Sequence, residues 1–178
     1  MGYPIFLLFY FLLLNLNMIR PATQDDFEYI FHLYMHPLNN PWLLYEQMGT
    51  DEFRPVYNEL IARNSLYIYS EDGKDVGMFK LQPMKYRNSH IIYLGGVAVD
   101  AGSRQQGVGS RMIAEALEKV RDMGFTRIEL TVGTENKAAI QLYERSGFEM
   151  EGRLKNYSFL RSENRYIDEY VMGLIIAQ

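Results

Sequence analysis

Apolar positions recur along the chain with two different spacings, which predict an alternation of helices and strands. After Asp100 the spacing is three and four residues, which predicts an amphipathic helix that Gly124 would end. A second, short helix is predicted over residues 136–145, closed by Gly147. The apolar residues that define the first helix are Val108, Met112, Ile113, Ala116, Leu117, Val120 and Met123.

Most other apolar stretches are typical of strands. The paired glycines Gly95 and Gly96 within one of them indicate a bulge, a tight packing point, or a place where another molecule approaches the backbone. The order strand, helix, strand around residues 90–132 favours a parallel pair joined by a crossover. Strands are predicted over residues 19–22, 66–69, 76–81, 90–99, 127–132, 148–154 and 166–176.

The segment between the first two predicted strands carries a helical pattern that is less regular. A first helix, capped by Thr23 or Asp25, is expected to end before Pro37. A second helical stretch is predicted from residue 43 to about residue 62. The apolar residues of the first helix are Phe27, Ile30, Phe31 and Tyr34.

Residues 1–17 differ from the rest of the chain because they carry no charged side chain and include an apolar run over residues 5–14. This run is shorter than the roughly 20 residues of a spanning helix, and no basic start marks a secretory signal. We therefore expect an N-terminal extension over residues 1–17 and a single domain over residues 18–178. The extension could reflect an upstream start, an extra packed element or a membrane anchor.

The charge and the amino-acid composition of the chain disfavour or exclude several kinds of function. A net charge of -4 disfavours a nucleic-acid binder that relies on a broad basic face. The chain has no cysteine, which excludes disulfides, thiolate catalysis and cysteine-ligated zinc and favours a reducing cytoplasm. His32 and His36 have a metal-like spacing, but no third ligand is apparent, so we expect no metal.

The glycine-rich stretch after Asp100 carries the most specific chemical signal. Gly107 and Gly109 open the predicted helix, whose first N–H groups have no partner within the helix and can bind phosphate. Arg104 could add a charge-assisted contact. A P-loop would need a lysine after Gly109, and a dinucleotide fingerprint would need glycine at Met112. On its own this stretch could also be a helix cap that binds nothing.

Two motifs in the same order resemble the GNAT superfamily of N-acetyltransferases. Residues 104–109 match Arg-x-x-Gly-x-Gly, and residues 136–148 resemble Asn-x-x-Ala-x-x-Leu-Tyr-x-x-x-Gly-Phe. The tail resembles the subgroup near the ribosomal-protein N-terminal acetyltransferases. The resemblance implies an α/β (α+β) fold: a mixed, mostly antiparallel, twisted sheet of six to seven strands, about four helices, and a parallel splayed strand pair at the cofactor site.

The resemblance also implies roles for individual residues. The strand over residues 97–99 would pair with the pantetheine arm of acetyl-CoA, and Asn136 would hydrogen-bond the cofactor. Tyr143, protonated at pH 7, would donate a proton to the leaving thiolate. The general base stays open between Glu129 and the weaker candidates Asp168 and Glu169. The implied cofactor-binding residues are Val97, Ala98, Val99, Arg104, Gln105, Gln106, Gly107, Val108, Gly109, Ser110, Asn136 and Tyr143.

The resemblance therefore predicts acetyl transfer from acetyl-CoA to a primary amine of a small molecule or a peptide N-terminus. The alternatives are a non-catalytic acyl-CoA-binding sensor and a membrane-tethered interaction protein. No nucleic acid is expected as a partner, a membrane is disfavoured, and a homodimer and a cytoplasmic location are expected. The acceptor is not identified, because residues 27–61, which would shape its pocket, match the family least.

Overall fold

The computed structural model describes residues 18–176, which form one seven-stranded sheet and four α-helices. The strands are β1 (Met18–Pro21), β2 (Leu66–Glu71), β3 (Lys74–Pro83), β4 (Ile91–Val99), β5 (Arg127–Gly133), β6 (Glu149–Leu160) and β7 (Arg165–Ile175). Their order across the sheet is β1-β2-β3-β4-β5-β7-β6. Only β4 and β5 pair in parallel, and all other neighbours are antiparallel. The predicted mixed, mostly antiparallel sheet is confirmed.

The helices are α1 (Phe27–Met35), α2 (Thr50–Ala62), α3 (Val108–Asp122) and α4 (Lys137–Arg145). Each face of the sheet buries a hydrophobic cluster, one containing residues of α3 and α4 and the other residues of α1 and α2. Successive side chains on a strand point to opposite faces. Thus Phe79 on β3 belongs to the first cluster and its neighbour Met78 to the second.

The second predicted helix is too long at its start. It begins at Thr50 rather than at residue 43, with Gly49 as its N-cap and the Glu52 carboxylate accepting from Gly49 N at 3.0 Å. The preceding residues are held as a loop, because Asn40 Nδ2 donates to the carbonyls of Tyr34 and Tyr45, both at 2.9 Å. A side chain that satisfies these backbone groups competes with helix formation.

The strand predicted over residues 148–154 is longer in the structure, because β6 continues to Leu160. Its register against β7 shifts between Leu154 and Ser158, where Asn156 has a φ of 51°. This bulge interrupts the alternation of apolar residues, which hides the second half of the strand from a periodicity argument. Beyond it, Phe159 packs against Tyr166 with ring centroids 4.8 Å apart.

The predicted N-terminal extension, residues 1–17, lies outside the described residues. Within residues 18–176, no helix has both the length and the apolar character needed to cross a membrane.

Candidate active site

A cleft opens where β4 and β5 separate. The two strands pair only from Ile91 with Arg127 to Tyr93 with Glu129, and both continue beyond this point. Against β3, the register of β4 shifts around Gly96, whose φ is 58°. This bulge, predicted from the glycine pair, turns the strand away from its parallel neighbour. The resulting cleft has a volume of about 920 Å³, within the range of small-molecule sites.

The N-terminus of α3 forms one end of this cleft. Gly107 is the N-cap with a φ of 77°, and Gln105 has a φ of 61°. Within the helix, Arg111 N donates to the carbonyl of Gly107 at 3.2 Å, so the N–H groups before it lie outside the helical hydrogen-bond pattern. Left-handed residues that alternate with right-handed ones turn successive N–H groups toward one point, which suits an anion.

The space in front of these N–H groups fits a diphosphate ester such as coenzyme A. Gly109 faces the cleft, and a Cβ built there would lie 3.4 Å from Leu142 Cδ2 and 3.8 Å from Val99 Cγ2. Any larger side chain at this position would occupy the gap between α3 and α4. Beside it, Val97, Ala98 and Val99 line the cleft on β4, in the part of the strand that no longer pairs with β5, and their contact with pantetheine stays a prediction.

Arg104 lines the cleft and also ties its loop to the loop after α1. Its Nη2 donates to the carbonyl of Leu38 at 3.2 Å and to Asn39 Oδ1. Gln106, another predicted phosphate contact, is not among the cleft-lining residues, and its Nε2 donates to the carbonyl of Gly102 at 3.0 Å. For both residues, contact with a cofactor stays a prediction.

Asn136 and Tyr143 enter the cleft from α4. Asn136 caps this helix, because its Oδ1 accepts from Ala139 N at 3.2 Å. Tyr143 is buried against Phe148, with ring centroids 5.7 Å apart. Burial raises the pKa of the Tyr143 phenol well above its ordinary value, and the nearby Tyr93 raises it further. The phenol is therefore held protonated, as a proton donor must be.

Only one of the three carboxylates considered as a base lines the cleft. Glu129 accepts from Arg127 Nε at 2.7 Å, and Asp168 accepts from Arg153 Nε at 2.8 Å, and neither lines the cleft. Glu169 does line it, with its Oε1 accepting from Ser158 Oγ. A hydrogen-bonded carboxylate beside a cleft can accept a proton directly or through water.

The opposite end of the cleft contains polar groups that sequence patterns did not single out. Lys80 is buried there, and its Nζ lies 5.6 Å from the centroid of the Tyr45 ring. Tyr34 is also buried, and its hydroxyl has no hydrogen-bond partner among the described residues. Tyr93 OH lies 2.9 Å from Thr131 Oγ1. Each of them sits in an apolar run, where periodicity predicts a core residue.

The sequence pattern that defines the acetyltransferase (GNAT) family matches residues 17–148. The chain belongs to this family. It is 30% identical over 171 residues to the L-amino acid N-acetyltransferase AaaT of Escherichia coli strain K12, and the match covers 88% of this chain and 96% of the relative. The GNAT assignment made from the two motifs is confirmed.

Solved GNAT structures share the fold at lower sequence identity. A spermidine N-acetyltransferase from Vibrio cholerae, crystallised with CoA and spermine, gives a TM-score of 0.77 at 23% identity and covers 89% of this chain and 94% of its own. A ribosomal-protein-alanine N-acetyltransferase from Brucella melitensis gives 0.72 at 22% identity, with coverages of 89% and 99%. The splayed strand pair is thus part of a GNAT fold.

Among residues 18–176, no group of three or more His, Asp or Glu side chains is arranged to hold a metal ion. His32 and His36 lie side by side with ring centroids 5.5 Å apart and their planes tilted by 59°, and neither lines the cleft.

Proposed function

We propose that this acetyltransferase moves the acetyl group of acetyl-CoA to a primary amine of a small molecule or of a peptide N-terminus. The single observation that carries the proposal is the shape of the cleft. It runs from the N–H groups of α3, past the free backbone of β4, to a pocket of polar side chains. A thioester with a long phosphorylated arm suits such a cleft, and an acceptor can approach from the other end.

Within this cleft we assign phosphate binding to the backbone from Gln105 to Ser110 and the pantetheine contact to Val97, Ala98 and Val99. The gap between β4 and β5 supports this, because strand backbone that faces a cleft can pair with an amide-containing arm. Backbone N–H groups near the bulge would polarise the acetyl carbonyl. Arg104 and Asn136 would add side-chain contacts.

When bound, acetyl-CoA supplies an acetyl group activated as a thioester. We assign two proton transfers of the reaction to residues of this chain. Glu169 takes the ammonium proton, directly or through water, which leaves a free amine. As the new N–C bond then forms and the C–S bond breaks, Tyr143 gives its proton to the departing sulfur, and the second proton of the amine returns through water to the Tyr143 phenolate. An alkyl ammonium has a pKa of about 10.4, so at pH 7 removal of that proton is needed before attack.

The experiment that tests the proposal uses the full chain with acetyl-CoA and pools of primary amines. Amine-dependent release of free thiol above an amine-free blank is expected, together with heat on titration with CoA. Heat without any amine-dependent thiol would contradict acetyl transfer and point to a non-catalytic binder of acyl-CoA. No heat at all would contradict the proposed phosphate site.

We place the protein in the cytoplasm, because a chain without cysteine makes no use of an oxidising compartment. A homodimer stays a prediction. Molar mass measured by light scattering would test it.

A further inference from the structure

The proposed acceptor end of the cleft contains a buried lysine that has no counter-ion among residues 18–176. Lys80 is 6% exposed, lies in the middle of β3 and lines the cleft. Its ammonium makes no hydrogen bond or ion pair with any residue in the range 18–176, and it lies 5.6 Å from the centroid of the Tyr45 ring. Residues 1–17 contain no Asp or Glu that could neutralise it. Lysine is rarely buried unless it is paired.

The surroundings of Lys80 disfavour its charge further. Burial lowers the pKa of Lys80, and the guanidinium of Arg63 lowers it again. A carboxylate entering this pocket would oppose both effects, because a nearby opposite charge favours the charged form of lysine. The folded protein thus holds a cation that is unpaired within the described chain and faces the space where a substrate binds.

A second unpaired group points to the same place. The hydroxyl of Tyr34 is fully buried and has no hydrogen-bond partner among the described residues. A Cβ built on Gly96 would fall 3.1 Å from this hydroxyl and 2.9 Å from Lys80 Cε. Two donors from different elements, α1 and β3, therefore converge beside the bulge of β4, and glycine at position 96 leaves room for them.

We propose that Lys80 and Tyr34 bind the carboxylate of the acceptor, which makes the acceptor a free α-amino acid or a similar amino carboxylate. This inference rests on the proposed acetyl transfer to an amine. A carboxylate accepts hydrogen bonds from both an ammonium and a phenol hydroxyl, and the charged bond is the stronger. A polyamine would instead bring a second cation toward Lys80, and a peptide N-terminus has no carboxylate next to its amine.

The test compares the common L-amino acids with the corresponding L-amino acid amides as acceptors for the full chain. For the best pair, the ratio of kcat/KM for the acid to kcat/KM for the amide is measured in the wild type and in Lys80→Met. Because each ratio is taken within one enzyme, the intrinsic basicity of the two amines cancels between variants. We expect the ratio to fall at least 10-fold in Lys80→Met, mainly through a higher KM for the acid, and several-fold in Tyr34→Phe.

Lys119→Met is the matched control. Its Nζ also lies over a tyrosine ring, 5.0 Å from the centroid of Tyr67, but it belongs to α3 and does not line the cleft. Its acid-to-amide ratio should equal that of the wild type. Lys80→Met replaces a buried charge by an apolar chain of similar length, and a melting temperature at or above that of the wild type would show that it folds.

Three outcomes would overturn the carboxylate subsite. A wild type that acetylates amides or polyamines better than amino acids at equal concentrations of unprotonated amine would do so while leaving acetyl transfer intact. An unchanged acid-to-amide ratio in folded Lys80→Met would do so as well. If no acceptor leads to release of thiol, the proposed acetyl transfer itself fails. The carboxylate subsite is then tested by titrating the CoA-bound protein with N-acetyl amino acids and with their amides. Equal binding of the two would overturn the subsite.

Discussion

The hydroxyl of Tyr93 on β4 is hydrogen-bonded to Thr131 Oγ1 on β5 at 2.9 Å, just beyond the point where the two strands stop pairing. Both side chains line the cleft, and the pair joins the strands at the vertex of their separation. A side-chain bond here replaces the backbone bonds that the strands no longer make. This hydrogen bond holds the two strands together at the position where they begin to diverge.

Loss of this hydrogen bond should destabilise the protein, and the effects of substituting Tyr93 and Thr131 should not be additive. We expect Tyr93→Phe and Thr131→Val each to lower the free energy of unfolding by about 1 kcal/mol, the net value of one hydrogen bond. The double variant should cost less than the sum of the two, as measured by urea unfolding. Strict additivity would show that the two hydroxyls do not interact.

Gly107→Ala should weaken coenzyme A binding. A left-handed conformation costs a residue with a Cβ about 1–2 kcal/mol, and relief of that strain would turn the N–H groups of α3 away from the phosphate site. We expect at least a 10-fold higher Kd for coenzyme A by calorimetry. Gly124→Ala is the control, because Gly124 has a similar φ of 81° but follows the end of α3 in open space. Equal Kd values for coenzyme A in the two variants would contradict the proposed phosphate site.

Tyr143→Phe should lower kcat by about 100-fold and leave the Kd for coenzyme A nearly unchanged. The reason is that only the hydroxyl is lost, while the ring keeps its packing against Phe148. The measurement is steady-state thiol release at saturating acetyl-CoA. Tyr67→Phe, in the same hydrophobic cluster but outside the cleft, should retain wild-type kcat. Full turnover in Tyr143→Phe would rule out its role as the acid.

Glu169→Gln removes a carboxylate that lines the cleft, and Asp168→Asn removes its neighbour on the same strand, which does not line the cleft. We expect Glu169→Gln to lower kcat/KM for the amine by about 100-fold at pH 7. The deficit should shrink as the pH approaches the pKa of the acceptor amine, because the acceptor then loses its proton to solvent. Asp168→Asn should have little effect on kcat/KM, since Asp168 is paired with Arg153 outside the cleft. A deficit that is independent of pH would contradict a base role.

Asp26 should make the protein sensitive to acid. Its carboxylate accepts from Arg20 through two nitrogens, both at 2.8 Å, and from Thr23 N at 2.7 Å. The hydrogen bonds from Arg20 lower the pKa of Asp26 below its ordinary value of 3.8. A lowered pKa means that the stabilisation is complete above pH 3.8 and is lost as the pH falls through the pKa of the folded protein.

Asp26→Asn should therefore cost about 2 kcal/mol at pH 7 and should flatten the fall of melting temperature below pH 4. Glu118→Gln breaks an exposed pair with Arg121 and should change stability by less than about 0.5 kcal/mol. Calorimetric melting between pH 2 and pH 7 measures both. An acid limb of equal steepness in wild type and Asp26→Asn would contradict the proposed linkage.

Sequence patterns predicted the cofactor half of the molecule best. The α3 helix shows a regular apolar spacing between Gly107 and Gly124, and both glycines have the left-handed φ that such ends require. The short α4 helix begins after its Asn136 cap, as expected. These signals are local, because the residues that define an end lie within a few positions of it.

The acceptor half was predicted less well because its structure depends on distant contacts. The loop before α2 is held by Asn40, which bonds to carbonyls on both sides of the proline-rich turn. The bulge at Asn156 likewise depends on the pairing of β6 with β7. No periodicity within either segment carries that information.

By itself the sequence determined the GNAT family, the order of strands and helices, and the glycine-opened helix whose start lines the cleft. These follow from spacing along the chain, since helix ends and amphipathic faces are set by near neighbours. Only the tertiary structure decided which carboxylate enters the cleft, that Tyr93 meets Thr131, and that Lys80 is buried beside Tyr34 without a partner in the described chain. Those relationships arise when strands far apart in sequence are brought together, and a lone lysine in an apolar strand reveals its role only when its surroundings are known.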